Sequence, residues 1–389
     1  MRQVFRGADL VIDDALRRGD LVVEGGRIVA IELSTGTPSV APEPDMEIVD
    51  VDRCVISPGF IDLQCNGAVG VDITTDPQGI VAVAHALPRF GVTSFLPTVV
   101  TSRAASRQAA IDALVALRGA APGRPDRTGA DPIGLHLEGP MISRQHLGAH
   151  VPTHVMAIET SELDEWAMSH AVRLVTLAPE LPGALAVIER LSRAGIAVSA
   201  GHTAMAPTDL AAAKAAGLAY ATHLFNAMAP FSHRAPGPIG AVLADDDVVA
   251  GLICDGIHVD PIAVRMAWRA LGPSRVSLVS DAVGALGAPF GRLNLGGIEV
   301  IHDDSGVRTL DGVLAGSALP LDQAVRNLRE FTGCGLIEAL ACVTSTPADL
   351  LGLDDRGRLA VGLRADLTIL DRDAGLIATV IGGMTAWQR

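Results

Sequence analysis

The chain has 389 residues, of which 49% are apolar and 19% are charged, so it can build a large core and general disorder is excluded. Acidic residues outnumber basic ones by 44 to 30, and the formal charge of −14 argues against nucleic acids and anionic membranes as partners. This charge does not exclude an anionic small molecule, because one well-placed Arg can bind it.

Cysteine usage and the N-terminal sequence indicate a cytoplasmic protein. The five cysteines are an odd number without a Cys-x-x-Cys pair, which is typical of reduced thiols in the cytosol; they are Cys54, Cys65, Cys254, Cys334 and Cys342. The first ten residues lack the apolar segment of a signal peptide. No apolar run of about 18 residues predicts a transmembrane helix. We therefore expect a soluble protein.

Both ends of the chain are predicted to form short strands. The segment "DLVVEGGRIVAIE" places two β runs around Gly25 and Gly26, a pattern typical of a hairpin. The segment "RADLTILDRDAGLIATVIGG" near the C-terminus has the same character. We expect residues 1–55 and 353–389 to meet in one small β-sandwich domain. The alternative is two unrelated flaps.

Between these ends, residues 56–352 alternate strand, loop and helix. Eight segments are predicted strands: "FIDLQ", "TSFLP", "IGLHL", "RLVTL", "IAVSA", "AYATH", "VVAGLIC" and "VSLVS". Amphipathic helices follow several of them, for example at residues 182–195 and 207–217. Eight such alternations predict a TIM-like (β/α)8 barrel rather than an open doubly wound sheet. A hairpin-like insert is expected at about residues 290–315, followed by helices to about residue 350.

Polar residues follow the predicted strands at the end where a TIM barrel builds its site. They are Glu138, His202, His223, Asp255, His258 and Asp281. One carboxylate and two imidazoles suit Zn²⁺ with a position left for water, and a nearby Asp suits proton transfer. Taken singly, each His could be an ordinary hydrogen-bonding residue, Glu138 could cap a turn, and Asp281 could cap a helix. Their joint placement favours a metal site.

The first predicted strand ends in Gln64 and Asn66, where many metal-dependent hydrolases carry His-x-His. Amides are poor ligands for transition metals, so the chain either lacks metal chemistry or holds its metal elsewhere. Other candidates receive no catalytic role. His85, His170 and His302 are expected to be structural, His136 is left unassigned, and Cys65 and Cys254 are expected to face the barrel wall.

Several motifs carry a resemblance to a known family. In chain order, "PGFIDLQCNG", "HLEGP", "GAH", "AGHT", "THLFNAM", "DGIHVD", "SDA" and "GVLAGS" resemble the N-acetylglucosamine-6-phosphate deacetylases of the amidohydrolase superfamily. The resemblance covers essentially the whole chain, and "HLEGP" with "THLFNAM" is its most specific part. It implies a barrel hydrolase that removes acetate from the amide of an amino-sugar phosphate, in amino-sugar catabolism and recycling of cell-wall sugars.

The resemblance also implies roles for individual residues. Glu138, His202 and His223 would bind the metal, Asp281 would be the general base and acid, and His150 would help to polarise the acetamide carbonyl. The implied substrate-binding residues are Ala149, His150, Asn226, Ala227, Arg234, His258, Leu314, Ala315 and Gly316. The alternatives are a contact from His150 to a sugar hydroxyl and a solvated Arg234.

Gln64 and Asn66 match a branch of this family that lacks the first-strand His-x-His and needs one metal, so any second ion would be held weakly. We expect one divalent ion per chain, Zn²⁺ in the first place, although the same donors accept Fe²⁺, Mn²⁺ or Co²⁺. In the family, the Arg at the position of Arg234 often reaches a neighbouring site, which implies a homodimer.

Two other functions compete with this reading. One is a related amidohydrolase that acts on an N-acyl amino acid or a cyclic amide, and such an enzyme would not need Arg234 as a phosphate ligand. The other is a metal-free barrel that binds a sugar phosphate. The presence of Glu138, His202, His223 and Asp281 argues against that second alternative.

Overall fold

The protein consists of a parallel barrel and a separate sheet built from both chain ends. The structure is a computed structural model and describes residues 2–34, 46–119, 128–158 and 160–389. Its strands are β1 (Arg2–Ile12), β2 (Ala15–Glu24), β3 (Arg27–Leu33), β4 (Met46–Asp50), β5 (Val55–Pro58), β6 (Phe60–Cys65), β7 (Gly67–Ala68), β8 (Val71–Asp72), β9 (Val92–Val100), β10 (Asp131–Pro132), β11 (Leu135–Glu138), β12 (Val172–Leu177), β13 (Ala197–Ala200), β14 (Tyr220–Ala221), β15 (Val249–Leu252), β16 (Val276–Leu278), β17 (Gly291–Leu295), β18 (Ile298–Asp303), β19 (Gly306–Thr309), β20 (Leu367–Leu370), β21 (Leu376–Ile381) and β22 (Met384–Gln388).

The helices lie mostly in the connections between barrel strands. They are α1 (Ile80–Ala86), α2 (Ala104–Gly119), α3 (Thr160–Ser169), α4 (Ala184–Arg193), α5 (Pro207–Ala216), α6 (Gly237–Ala244), α7 (Pro261–Leu271), α8 (Leu321–Thr332), α9 (Leu336–Ala341) and α10 (Ser345–Leu350). Short 3₁₀ turns occur at Pro77–Gly79, Leu87–Phe90 and Pro152–His154. Helix α4 shows how they pack, because its buried residues, Ala184, Val187, Ile188 and Leu191, form one apolar stripe. No helix of the described ranges has the length and apolar character needed to cross a bilayer.

The eight predicted barrel strands are all present, and their parallel order is β6-β9-β11-β12-β13-β14-β15-β16. Strands β6, β9 and β11 are buried along their whole length, as parallel strands covered on both faces must be. Backbone hydrogen bonds from Asp281 N to Gln64 O (2.9 Å) and from Asn66 N to Ala282 O (2.7 Å) join the two ends of this order. The predicted TIM-like barrel is confirmed.

The end sheet has the order β22-β21-β20-β5-β1-β2-β3, with β4 beside β1. Strand β1 changes register between Phe5 and Ala8, so its first half pairs with β4 and its second half with β5. Residues from both chain ends share a separate apolar core, including Leu10, Ile56, Leu367 and Val380. The expected union of the two ends is confirmed, and the alternative of two unrelated flaps is wrong. The domain boundaries themselves stay a prediction.

The expected insert is a three-stranded antiparallel sheet of β17, β18 and β19. Its inner face, with Leu295, Val300 and Val307, packs on Val100 at the end of β9 and on Val283 after β16. The insert therefore lies against the end of the barrel at which the predicted site residues emerge.

Candidate active site

Glu138, His202 and His223 come together at the carboxyl end of the barrel. Glu138 is the last residue of β11, His202 follows β13, and His223 follows β14. Glu138 Oε1 lies 3.1 Å from His202 Nε2 and 2.8 Å from His223 Nε2, and the two Nε2 atoms are 3.2 Å apart. Two zinc–ligand bonds of about 2.0–2.1 Å at a tetrahedral angle would place their donor atoms about 3.3 Å apart. These three residues fit one divalent ion.

The backbone turns sharply at several site residues. His202, His223 and Asp281 have φ angles of 50°, 31° and 47°, which lie in the left-handed region. Such conformations are uncommon for residues other than Gly and are concentrated at functional sites, where the surrounding structure holds them. Here each turn directs a polar side chain from the end of a buried strand toward the barrel axis.

The environment of His202 prepares this residue for metal binding. Its Nδ1 donates a hydrogen bond of 2.9 Å to the backbone oxygen of His146, which leaves the lone pair of Nε2 facing Glu138. Burial lowers the pKa of His202 to about 4, so the ring is neutral at pH 7. A neutral imidazole fixed through its second nitrogen is the usual form of a histidine ligand.

The first-strand amides contact the two site carboxylates. Gln64 Nε2 donates to Glu138 Oε1 at 3.0 Å, and Gln64 Oε1 accepts from the hydroxyl of Thr222. Asn66 Nδ2 donates to Asp281 Oδ1 at 2.8 Å. Both amides thus have a hydrogen-bonding role that does not require a metal.

Asp281 lies just after β16 and is buried beside the metal-binding group. Burial raises the pKa of its carboxyl to about 6, and the negative charge of Glu138 acts in the same direction. A carboxyl group with a pKa near neutrality can both accept and return a proton, which is the property required of a general base and acid. Its contact with Asn66 fixes one of its oxygens.

His150 faces the same group from the loop after β11. Its Nε2 lies 3.6 Å from Glu138 Oε2, and its ring is tilted against that of His202 with the centroids 4.3 Å apart. Its Nδ1 lies 2.7 Å from the hydroxyl oxygen of Thr101. The ring is therefore fixed on one side and directed toward the metal-binding group on the other.

These residues open into a cavity. It is lined by Asn66, Val100, Glu138, Gly148, Ala149, His150, His202, His223, Asn226, Ala227, His258, Asp281, Leu295, Val313, Leu314 and Gly316. Most of the residues predicted from the sequence are in this set. Four lining residues were not predicted, namely Val100, Gly148, Leu295 and Val313. All four are apolar or Gly, so they lack the polar side chains on which the prediction of site residues was based. Two of them, Leu295 and Val313, come from the insert.

His258 contributes a fourth imidazole to the cavity wall. Its Nδ1 lies 2.7 Å from Asp255 Oδ2, and its backbone N donates to Asp255 Oδ1 at 2.8 Å. Burial alone would raise the pKa of Asp255, but the hydrogen bond and charge of His258 outweigh it, and the net shift is downward. The ionised Asp255 thus orients His258 so that Nε2 faces the cavity.

Three predicted site residues lie outside the cavity lining. Gln64 is fully buried below Glu138, and Ala315 is buried in the apolar cluster under the insert. Arg234 is exposed in a tight turn between Ser232 and Ala235 and does not enter the cavity of its own chain.

Two of the residues that received no role, His136 and Cys65, make their hydrogen bonds outside the metal-binding group. His136 is buried in β11 and contacts the hydroxyl of Thr176 at 2.7 Å. Cys65 Sγ contacts the backbone oxygen of Gly67, and burial raises its thiol pKa. A buried thiol with a raised pKa is a poor nucleophile.

The chain matches a protein family and several known proteins over most of its length. The model of the "Amidohydrolase family" matches residues 55–386. The N-acetylglucosamine-6-phosphate deacetylase of Bos taurus is 39% identical, and the match covers 99% of this chain and 95% of that protein. The N-acetylgalactosamine-6-phosphate deacetylase of Escherichia coli O157:H7 is 36% identical, with 95% and 96% covered.

Solved structures agree with this assignment. A mutant of the N-acetyl-D-glucosamine-6-phosphate deacetylase of Mycobacterium smegmatis, in complex with N-acetyl-D-glucosamine-6-phosphate, matches with a TM-score of 0.88. It is 31% identical, and 99% of each chain is covered. Sequence, fold and site geometry all agree, and the chain belongs to the amidohydrolase family.

Proposed function

We propose that the protein hydrolyses the acetamide of N-acetyl-D-glucosamine 6-phosphate to D-glucosamine 6-phosphate and acetate. The observation that carries the proposal is the buried group of Glu138, His202 and His223 with Asp281 beside it. This group opens into a cavity, in a chain that matches deacetylases of this substrate over nearly its whole length.

The group of one carboxylate and two imidazoles would hold one divalent ion, and we propose Zn²⁺, with Fe²⁺, Mn²⁺ or Co²⁺ as acceptable replacements. Such an ion lowers the pKa of a bound water and polarises a carbonyl oxygen. Glu138, His202 and His223 supply three ligand atoms, which leaves room for water and substrate. Gln64 and Asn66 supply hydrogen bonds in place of a second ligand set.

Asp281 takes the proton of the attacking water and then returns it to the leaving amine nitrogen. Its raised pKa suits both steps, because the carboxyl can be ionised before attack and protonated after it. His150 would donate a hydrogen bond from Nε2–H to the acetamide oxygen as it becomes negative, and such a bond is worth more in a buried site than in water.

The sugar and phosphate are placed along the remaining wall of the cavity. We propose that Asn226, Ala227 and His258 contact the substrate there, with Ala149, Leu314, Ala315 and Gly316 close around it. Arg234 is exposed on its own chain, a position that suits a contact with the phosphate bound by a second copy. The proposal therefore includes a homodimer in which each Arg234 completes its neighbour's site.

A cytoplasmic location belongs to the same proposal. All five cysteines are free thiols in the structure, which fits a reducing compartment.

The 4-epimeric sugar is the second candidate substrate. The match to an N-acetylgalactosamine-6-phosphate deacetylase is almost as extensive as the matches to enzymes for the glucosamine form. The reacting amide and the phosphate are the same in both sugars, so the metal-binding group and Asp281 would serve either.

Acetate release tests the proposal directly. We expect rapid release from N-acetylglucosamine 6-phosphate, slow release from unphosphorylated N-acetylglucosamine, and about one metal ion per chain in the same sample. Parallel assays with N-acetylgalactosamine 6-phosphate rank the two sugars by kcat/KM. A metal-loaded protein that releases no acetate from any of these sugars would contradict the proposed function.

A further inference from the structure

The residue just after the end of β9 contacts both Glu138 and His150 of the candidate site. Thr101 follows β9 directly and is 1% exposed. Its hydroxyl oxygen lies 3.1 Å from the backbone oxygen of Glu138 and 2.7 Å from Nδ1 of His150. One buried hydroxyl therefore connects the strand that ends in Glu138 to the imidazole of His150.

The number of protons available decides the direction of these hydrogen bonds. A backbone carbonyl can only accept, so Thr101 must donate its single proton to Glu138 O. The hydroxyl oxygen then accepts a hydrogen bond from Nδ1–H of His150. The reverse arrangement would leave two acceptor oxygens facing each other at 3.1 Å in a buried site, which is costly. His150 thus carries a proton on Nδ1, and Nε2 is the nitrogen that faces the cavity.

The surroundings hold Thr101 in this position. A Cβ atom on Gly139 would lie 2.1 Å from the Thr101 hydroxyl, so only Gly permits this approach. On the other side, the guanidinium of the buried Arg107 donates to the backbone oxygen of Ser102 and pairs with Glu162. The turn after β9 is therefore fixed by hydrogen bonds at two successive residues.

We propose that Thr101 is a positioning residue for the hydrolysis. Its hydroxyl oxygen accepts a hydrogen bond from Nδ1–H of His150 and thereby holds the ring with Nε2 toward the reacting amide. Loss of the hydroxyl frees the ring to rotate, so that Nε2 no longer keeps its place against the reacting amide. The role of His150 in this inference rests on the proposed function, whereas the hydrogen bond itself does not.

The kinetic test uses Thr101→Val, which keeps the shape and removes the hydroxyl, and Thr101→Ser, which keeps the hydroxyl. We expect Thr101→Val to lower kcat by about tenfold to a hundredfold, with KM and metal content nearly unchanged. Thr101→Ser should restore most of kcat. The control is Thr93→Val, the same change in a buried residue at the other end of β9, where kcat should stay at the wild-type value.

A double-mutant cycle separates this role from a general effect on the strand. If Thr101 acts through His150, Thr101→Val should cost little when it is added to His150→Asn. An equal loss in both backgrounds, a parallel loss of metal, or a wild-type kcat for Thr101→Val would overturn the proposal.

A measurement on histidine itself keeps the test independent of turnover. In ¹⁵N-histidine-labelled protein, His150 should show a proton bound to Nδ1, identified by its disappearance in His150→Asn, and this signal should be lost or altered in Thr101→Val. An unprotonated Nδ1 in the wild type would overturn the inference. If the wild type releases no acetate from any sugar, the proposed function fails, and this spectrum still decides the hydrogen bond.

Discussion

Asn66 Nδ2 donates a hydrogen bond of 2.8 Å to Oδ1 of Asp281, and neither side chain is more than 8% exposed. The parallel contact joins Gln64 Nε2 to Glu138 Oε1 at 3.0 Å. Each amide on β6 therefore serves one carboxylate of the candidate site. At the positions where related hydrolases carry histidine ligands, this chain uses amides to orient the carboxylates.

Replacement of these two amides should separate their roles. Asn66→Leu removes the donor to Asp281, so we expect kcat to fall about tenfold while metal content stays the same. Gln64→Leu removes the donor to Glu138, so we expect weaker metal binding, by about tenfold, in a chelator competition assay. Each variant is the control for the other. Identical effects of the two changes on metal affinity would contradict the separation.

Asp281→Asn should abolish most turnover without loss of metal or substrate. The amide cannot take a proton from water, and general acid–base catalysis is typically worth about a hundredfold to ten-thousandfold in rate. Steady-state kinetics and metal analysis on the same preparation measure both quantities. Near-normal kcat would remove Asp281 from the proton-transfer role.

His202→Ala should lose the bound metal. The variant removes one of three converging ligand atoms, and the remaining Glu138 and His223 cannot enclose an ion. Metal analysis after gel filtration gives the readout. His85→Ala, at an exposed position on α1, is the matched control and should keep its metal. Unchanged metal in His202→Ala would show that the ligand set is wrong.

Arg234→Ala should raise KM for the phosphorylated sugar by about tenfold to a hundredfold and change kcat little, because a charge-assisted phosphate contact is lost. KM for the unphosphorylated sugar should not change. Mixed dimers of Arg234→Ala with Asp281→Asn test whether the contact crosses between subunits. In such a dimer one site has both groups intact, so activity at low substrate should exceed that of either parent. Mixtures that show only the average of the parents would place Arg234 elsewhere.

Asp62 should make the stability of the metal-free protein depend on pH. Burial raises its pKa to about 7, although it accepts hydrogen bonds from Ser280 and from Gln64 N. The folded pKa exceeds the unfolded value of about 3.9, so ionisation of Asp62 destabilises the folded state. The free energy of unfolding therefore falls as pH rises from about 4 to about 7.

Urea unfolding of the chelated protein at pH values of about 5 and 8 measures this dependence. Asp62→Asn should unfold with a smaller difference between the two pH values than the wild type. The control Asp246→Asn, which removes an exposed carboxylate, should keep the wild-type difference. A wild-type pH dependence in Asp62→Asn would contradict the prediction.

Strand β9 is longer than the second barrel strand predicted from the sequence. The predicted second barrel strand, "TSFLP", ends at Pro97. In the structure β9 continues through Pro97 to Val100, and Pro97 pairs with Cys65. The rule that site residues follow strand ends would have indicated Thr101 if the strand had been drawn at its full length.

The sequence by itself determined the eight barrel strands, the β character of both chain ends and the polar residues that follow several of the strands. These features are local: apolar runs of strand length, turn residues beside them, and carboxylates or imidazoles after five of the eight strands. The motifs then indicated Glu138, His202 and His223 as candidate metal ligands before any distance was known.

Only the tertiary structure decided what these residues contact. Gln64 and Glu138 are 74 positions apart, and Asn66 and Asp281 are 215 positions apart, yet each pair is in hydrogen-bonding contact. The second pair meets because β16 returns to β6 and closes the barrel, a step set by the packing of all eight strands together. No local pattern encodes that closure, because the hydrogen bonds that complete a barrel join its first strand to its last.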